Sequence, residues 1–250
     1  MIRKTKIIAT IGPSTEGRSV LKKIISRGVN VCRLNFSHIT HEKAREIISL
    51  IKSINQELNV NTAILADLQG PKIRIGKLEK EIKLKPGDSI CLTTKRPLKG
   101  QIEVSYKKFA QDVKINERIL IDDGKIKLKV VETNSKDRVI AKVVAGGKLS
   151  SYKGINLPST SISLPCLTRK DKKDLQFVLS QKIEWLALSF VREGKDIEEL
   201  RKILKRNKSK IGVIAKIEKP EAVKNIDEII SMSNGIMVAR GDLGVEMPAY

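Results

Sequence analysis

The stretch Ile211-Gly-Val-Ile-Ala-Lys-Ile-Glu-Lys-Pro-Glu221 and its sequel Gly235-Ile-Met-Val-Ala-Arg-Gly-Asp-Leu-Gly244 constrain the fold more than any other feature of the chain. Each opens as an apolar, β-branched run, the signature of a strand buried on both faces. Each then ends in charge, at Lys216 and Glu218 in the first and at Arg240 and Asp242 in the second. Between them, Pro220 precedes apolar residues at 222, 223, 226, 229 and 230, which predicts an amphipathic helix with proline in its first turn. A buried strand has no structural use for ionisable groups. Strand, helix and strand, with charge gathered where the strands stop, is the layout of a ligand site on a parallel α/β sheet.

The same rhythm runs through the N-terminal part. Lys6–Ile11 reads as a first strand, followed by a helix with apolar residues at 20, 21, 24 and 25 that Gly28 stops. Val29–Leu34 is a second strand, leading into Arg33-Leu-Asn-Phe-Ser-His38. Thr40 caps the next helix, whose apolar positions 44, 47, 48, 51, 54 and 58 keep the helical period. Thr62–Ala66 is a third strand, and it too ends in charge, at Asp67.

From Pro71 to about Leu164 the helical period disappears, apart from a short piece near Tyr106–Val113. Short β-branched runs separated by turn signals replace it. Asp122-Asp123-Gly124, flanked by Ile119–Ile121 and Ile126–Val130, predicts a hairpin, with Asp123 a turn residue at its tip. Alternation resumes after Pro165, with a capping arrangement at Thr168-Arg-Lys-Asp171, a helix to about Gln181 and a strand over Trp185–Phe190. The expected organisation is therefore an α/β domain from residues 1–70 and 165–250, interrupted by a β-rich domain at 71–164. Six strands alternating with helices fit a (β/α)8 TIM barrel that is incomplete at its C-terminus. A doubly wound open sheet is the alternative, because periodicity does not distinguish barrel from sheet. The chain reads as the N-terminal part of a longer polypeptide.

Composition excludes several classes. With 40% hydrophobic and 31% charged residues the chain is globular, and no apolar run approaches the ~20 residues of a membrane span. No signal-peptide pattern opens it, which leaves the cytoplasm by default. Cys32, Cys91 and Cys166 are far apart and form no C-x-x-C pair, so neither zinc nor a disulfide framework is indicated. Cys32, inside an apolar strand, reads as an inert buried thiol. The net charge of +21 suggests nucleic acid, but the lysines are spread along the chain and aromatic residues are only 3%, too few for a stacking surface. No specific nucleic-acid binding is expected.

Polar groups cluster after four of the six strands: Arg33, Asn35, Ser37 and His38; Asp67, Gln69, Lys72 and Arg74; Lys216 and Glu218; Arg240 and Asp242. In a parallel barrel these ends share one rim. Glu218 and Asp242 suit a hard divalent ion, and Mg²⁺ takes one or two carboxylates while borrowing substrate oxygens. An ammonium at Lys216 can neutralise charge on a transferring phosphoryl group or an enolate. Arg33 offers a fork for phosphate. The backbone at Ala239-Arg240-Gly241 can approach a carboxylate closely, because glycine has no side chain. Residue chemistry alone thus suggests a Mg²⁺-bound small acid carrying a phosphate.

Six stretches in order, Lys6–Pro13, Asn30–His38, Asp67–Gly76, Lys153–Pro158, Ala215–Glu218 and Gly235–Pro248, resemble the pyruvate kinase family. The resemblance covers essentially the whole chain. It implies a TIM barrel with an inserted small β-barrel domain that closes over the site, and phosphoryl transfer between phosphoenolpyruvate and ADP to give pyruvate and ATP. By position it implies that Arg33 contacts the phosphoenolpyruvate phosphate and Lys216 stabilises the transferring group. Glu218 and Asp242 would hold Mg²⁺, and Gly241 and Asp242 would flank the substrate carboxylate. Asn35, Phe36, Ser37, His38, Arg74 and Lys153 would lie near the nucleotide. The family's monovalent-cation pocket maps to Asn35, Ser37, Asp67 and Leu68. The full-length protein would be a homo-oligomer, a tetramer on the family's pattern.

One stretch departs from that pattern. Asp67-Leu-Gln-Gly-Pro-Lys-Ile-Arg74 stands where potassium-requiring members resemble Asp-Thr-Lys-Gly-Pro-Glu-Ile-Arg. The expectation is that Lys72 supplies the charge K⁺ would bring, so that Mg²⁺ is required and K⁺ is not. Two other classes compete on the residues alone: a Mg²⁺-dependent aldolase or lyase forming a pyruvate enolate, and a noncatalytic basic nucleic-acid-binding module. The β-rich interruption and the Arg33–His38 stretch favour the kinase.

Overall fold

Strand and helix alternate from the N-terminus as the apolar spacing predicts. In the computed structural model, which describes residues 4–247, six strands form one sheet in chain order: Ile8–Thr10, Val31–Asn35, Ala63–Asp67, Trp185–Leu188, Gly212–Ile217 and Gly235–Val238. Every adjacent pair is parallel. Pro248, which closes the last of the six motif stretches, lies outside the described residues. The chain divides into two compact units. The first comprises 4–71, Pro165–Ile217 and Glu221–Val238, and the second Lys72–Leu164, Glu218–Pro220 and 239–247.

In the first unit the inner strands are the buried ones. Leu34, Leu65, Ala66, Leu186, Leu188, Val213 and Ala215 are fully enclosed, and each large apolar side chain so removed from water contributes about 1.5–3 kcal/mol. Cys32 is among them, and burial pushes its thiol up to about 11, as an inert thiol requires. The strand Gly235–Val238 corrects a sequence expectation. It alternates instead of being buried on both faces, with Ile236 41% and Val238 54% exposed. Among the described residues it has a neighbour on one side only, and so does Ile8–Thr10.

The helices begin and end on local signals. Thr40 accepts from Lys43 N at 3.3 Å to open His41–Leu58, and Asn59 closes it with φ 51°. Thr168 and Asp171 form a reciprocal capping box at the head of Arg169–Ser180. The helix expected after Pro220 is two pieces, Pro220–Lys224 and Ile226–Met232. Asn225 sits at the break, and its side-chain amide donates to the Arg192 carbonyl at 2.9 Å. The backbone ladder still passes through it, from Asn225 N to Glu221 O at 3.0 Å and from Ile229 N to Asn225 O at 3.1 Å, so the break is a local change of dihedral angles, with φ −101° and ψ 24°. Among the described residues no helix is long and apolar enough to cross a membrane.

The second unit contains a seven-stranded sheet. Its order is Ile73–Arg74, Gly154–Asn156, Arg118–Ile121, Ile126–Thr133, Arg138–Ala145, Ser89–Thr93, Gln101–Glu103. Backbone bonds from Gly76 N to Glu103 O (2.8 Å) and from Ser105 N to Arg74 O (2.9 Å) join the chain after the first strand to the last strand and its exit. Alternate residues of Ile126–Thr133 and Arg138–Ala145 point into a core with Leu92, Phe109, Ile119 and Leu149. The Asp122-Asp123-Gly124 hairpin is present, with φ of 53°, 55° and 83°. Left-handed backbone is what Asp and Gly tolerate there.

Gly70 shows how closely the chain packs as it leaves the third parallel strand. Its φ is +69°, and a Cβ built on it would lie 2.8 Å from Phe190 Cδ2 and 2.9 Å from Ser189 Cβ. Strain and overlap act together, so Gly70→Ala should cost about 1–3 kcal/mol in urea unfolding of the full-length protein. A loss below about 0.5 kcal/mol would contradict this packing.

Candidate active site

In the first unit the polar groups at the strand ends converge on Asp67, which is 1% exposed. Parallel register brings them there. Thr10 lies opposite Arg33, Asn35 opposite Asp67, and Asp67 opposite Ala187. Arg33 Nε donates to Asp67 Oδ2 at 2.7 Å, its Nη2 contacts the same oxygen, and its Nη1 donates to Thr10 Oγ1 at 2.8 Å. Lys216, on the strand Gly212–Ile217, places Nζ 3.3 Å from Asp67 Oδ1 and donates to Ser189 Oγ at 2.8 Å. The Ser189 hydroxyl in turn donates to the Leu68 carbonyl at 2.6 Å. Arg33, Asp67, Leu68 and Lys216, singled out from the sequence, are therefore one bonded cluster.

Asn35, Phe36, Ser37 and His38 form a braced turn. Asn35 Oδ1 accepts from Ser37 N at 3.0 Å, Asn35 O accepts from His38 N at 3.1 Å, and Phe36 N donates to Asp67 O at 2.9 Å. The Phe36 ring is buried against Phe177, so this residue presents backbone and not its ring. Its carbonyl accepts from Lys170 Nζ at 2.5 Å. Lys170 also pairs with Asp174 at 2.6 Å, and Asp174 bonds His41 Nε2 at 2.7 Å. His41 stacks on Phe177 with 4.5 Å between ring centroids.

Sequence reasoning missed Thr10, Ser189 and Lys170. Ser189 carried the available signal, a polar residue directly after an apolar run.

In the second unit Arg74 donates from Nη1 to the Tyr152 carbonyl at 3.0 Å. Lys153 pairs with Asp122 at 2.8 Å, so Asp122, and not the exposed tip residue Asp123, is its partner. Lys72 extends over Gly154, where an added Cβ would lie 3.5 Å from its Cε. Glu218 is 1% exposed, Asp242 is half-buried, and Gly241 is exposed. A Cβ on Gly241 would meet nothing within 4 Å, so the backbone there is approachable. Among the described residues no group of three or more His, Cys, Asp or Glu side chains could hold a metal. Two carboxylates with no nitrogen or sulfur donor fit Mg²⁺, which completes its shell with water and substrate oxygens, and do not fit zinc.

A parallel α/β sheet with ionic side chains seated where its strands end defines a class, the α/β proteins whose ligand sites lie at the carboxyl-terminal strand ends. Residues 2–250 match the family described as pyruvate kinase, barrel domain. The chain is 45% identical over 254 residues to Pyruvate kinase 2 of Synechocystis sp. (strain ATCC 27184 / PCC 6803 / Kazusa), covering 99% of this chain and 43% of that protein. It is 42% identical over 252 residues to a pyruvate kinase of Clostridium perfringens (strain 13 / Type A), covering 99% of this chain and 53% of that one. To a pyruvate kinase of Staphylococcus aureus (strain MRSA252) it is 40% identical over 252 residues, with coverage of 99% and 43%. The chain belongs to the pyruvate kinase family. It spans about half the length of the curated relatives it matches.

The Asp122–Lys153 pair gives a pH expectation. The Lys153 hydrogen bond, with Lys125 nearby, holds the Asp122 carboxyl below its usual range, and the same bond raises Lys153. A depressed carboxylate stabilises the fold above its unfolded pKa of ~3.9, and that contribution is lost as pH falls through the folded value. The raised ammonium contributes below its unfolded value and loses that contribution as pH rises through the folded one. Carboxyl ¹³C NMR should place the Asp122 midpoint below the ordinary range, and Lys153→Met should move it upward. An unmoved midpoint would contradict the pairing.

Proposed function

We propose that a polypeptide of the relatives' length, carrying this chain, is a pyruvate kinase that moves the phosphoryl group between phosphoenolpyruvate and ADP. The bond from phosphorus to the enol oxygen breaks, a bond to a terminal ADP oxygen forms, and the enolate takes up a proton to become pyruvate. The observation that carries the reading is the Arg33–Asp67–Lys216 cluster at the parallel strand ends, in a chain of this family. Arg33 receives the substrate phosphate. Lys216 stabilises the phosphoryl group in transit, its ammonium held ready by Asp67 and Ser189 so that little reorganisation is needed. Glu218 and Asp242 hold Mg²⁺, which supplies charge neutralisation for the anionic substrates. Gly241 and Asp242 flank the substrate carboxylate, where the open space at Gly241 permits close approach. Asn35, the Phe36 backbone, Ser37, His38, Arg74 and Lys153 serve the nucleotide.

The parallel sheet is read as six strands of the family's (β/α)8 barrel, and the sheet of the second unit as its inserted small β-barrel domain. Residues 1–250 alone are expected to be inactive, since among the described residues the outer strands of the parallel sheet expose Ile8, Ile236 and Val238 and lack a second neighbour. The full-length protein is read as a cytoplasmic homo-oligomer, a tetramer on the family's pattern.

The family's monovalent-cation pocket is read onto Asn35, Ser37, Asp67 and the Leu68 carbonyl, and the Lys72 ammonium is read as supplying the charge of the ion. A fixed positive charge ~4 Å from the substrate is worth about 1–4 kcal/mol, enough to replace K⁺. Tenfold activation by KCl at constant ionic strength would contradict this. Lys72→Glu should lower the rate and create a K⁺ requirement.

A coupled assay for ATP formation tests the main reading. Full-length protein should make ATP from phosphoenolpyruvate and ADP with Mg²⁺, and Lys216→Met should lose ~10²–10³ of the rate while Mg²⁺ binding persists. A variant keeping more than about a tenth of the parent turnover would remove Lys216 from the mechanism. No ATP formation, with cleavage of a pyruvate-derived aldol instead, would favour an aldolase or lyase. Salt-sensitive nucleic-acid affinity without catalysis would favour a basic binding module.

A further inference from the structure

The second unit holds an ion pair that the proposed mechanism does not use. Lys219 and Glu246 are 3% and 4% exposed, and Nζ donates to Glu246 Oε2 at 2.8 Å. Lys219 also donates to the Leu157 carbonyl at 3.1 Å, and Glu246 Oε1 accepts from the Asn156 amide at 2.9 Å. Both carboxylate oxygens are therefore satisfied. A buried pair of this kind adds little net stability over apolar residues of the same size, and loss of one partner leaves an uncompensated charge. Its use lies in what it holds in place.

The sequence positions of the two partners show what that is. Lys219 directly follows Glu218. Glu246 lies four residues after Asp242 on the helix Arg240–Glu246, one turn along the same face. Each end of the pair is thus attached to a segment carrying one of the two carboxylates read as Mg²⁺ ligands. Two carboxylates that share a cation need a fixed separation. A buried link between their segments holds it. A third anchor stops the pair from drifting, because Asn156 lies opposite Leu120 in the seven-stranded sheet. The helix also passes close to the hairpin turn of that sheet, where a Cβ built on Gly124 would lie 3.7 Å from Val245 Cγ1.

We propose that Lys219 and Glu246 are positioning residues for the divalent cation, holding the segments that bear Glu218 and Asp242 at the separation the ion requires. This rests on the reading of Glu218 and Asp242 as the metal ligands. The pair touches neither substrate nor metal. It sets cation affinity through the two carboxylates, and Asn156 and Leu157 couple that setting to the sheet of the inserted segment.

The test uses full-length protein and Mn²⁺ as the probe, its free concentration read by electron paramagnetic resonance and folding by calorimetry. Lys219→Met with Glu246→Leu removes both charges together, so Tm should stay within a few degrees of the parent while the Mn²⁺ Kd rises at least tenfold. Glu246→Asp keeps the charge but shortens the link, and it should raise the Kd several-fold. This variant carries the test if the double variant does not fold. Kd values within twofold of the parent in a folded variant would overturn the proposal. Glu218→Gln separates the two claims. If it weakens Mn²⁺ and the pair variants do not, the positioning role alone fails. If it leaves Mn²⁺ binding unchanged, the metal-ligand reading fails and takes the inference with it.

Discussion

A carboxylate buried at the end of the strand Ala63–Asp67 has to be compensated by its neighbours, and the arrangement of the parallel strand ends depends on how this is done. Removing an ionised carboxylate from water costs several kcal/mol unless cations and donors replace the solvent. Asp67 receives Arg33 on one oxygen and Lys216 on the other, and Ser189 bridges Lys216 to the Leu68 carbonyl. The strands Val31–Asn35, Ala63–Asp67, Trp185–Leu188 and Gly212–Ile217 must lie side by side in register for these atoms to meet. Sheet order and site are thus one requirement. Arg33 and Lys216 are long side chains that would otherwise sample many rotamers. Tethered to a common anion, they are held in place before a ligand arrives, and such preorganisation lowers the cost of binding and of charge development.

Much of this was legible in the sequence because it follows from period and punctuation. Apolar spacing located His41–Leu58 and the strands, Thr168 and Asp171 marked a helix start, and Asp122-Asp123-Gly124 marked a hairpin. The charges at 67, 216, 218 and 242 stood out because they ended apolar runs. Ser189 ended an apolar run in the same way, but its role was not legible. A serine after a strand also suits a solvated turn, and its partner Asp67 is brought beside it only because Ala63–Asp67 pairs with Trp185–Leu188, far away in sequence. Lys219 and Glu246 were invisible for a related reason, since lysine and glutamate lie at the surface unless a specific partner buries them. The break at Asn225, whose side chain bonds the Arg192 carbonyl, is a change of backbone angles that apolar periodicity does not encode.

The net charge of +21 is the loudest number in the sequence and says least about the site. Many lysines form exposed ion pairs, such as Lys22 with Glu57, Lys95 with Asp137 and Lys202 with Glu198. Pairs of this kind contribute little to stability. The cations that matter are the enclosed ones. Lys216 and Lys219 are three residues apart, and each is bonded to a different buried carboxylate. A lysine-rich surface still attracts anions in general through its long-range field.

The central proposal is that Arg33 and Lys216 receive a phosphate and that Glu218 and Asp242 hold a divalent ion. A crystal structure of the full-length protein with phosphoenolpyruvate and Mn²⁺, read by the anomalous signal of the metal, tests it most directly. The account predicts a manganese peak ligated by Glu218 and Asp242, with the substrate phosphate on Arg33 and Lys216. A peak bound without those two carboxylates, or a phosphate seated away from Arg33 and Lys216, would contradict it.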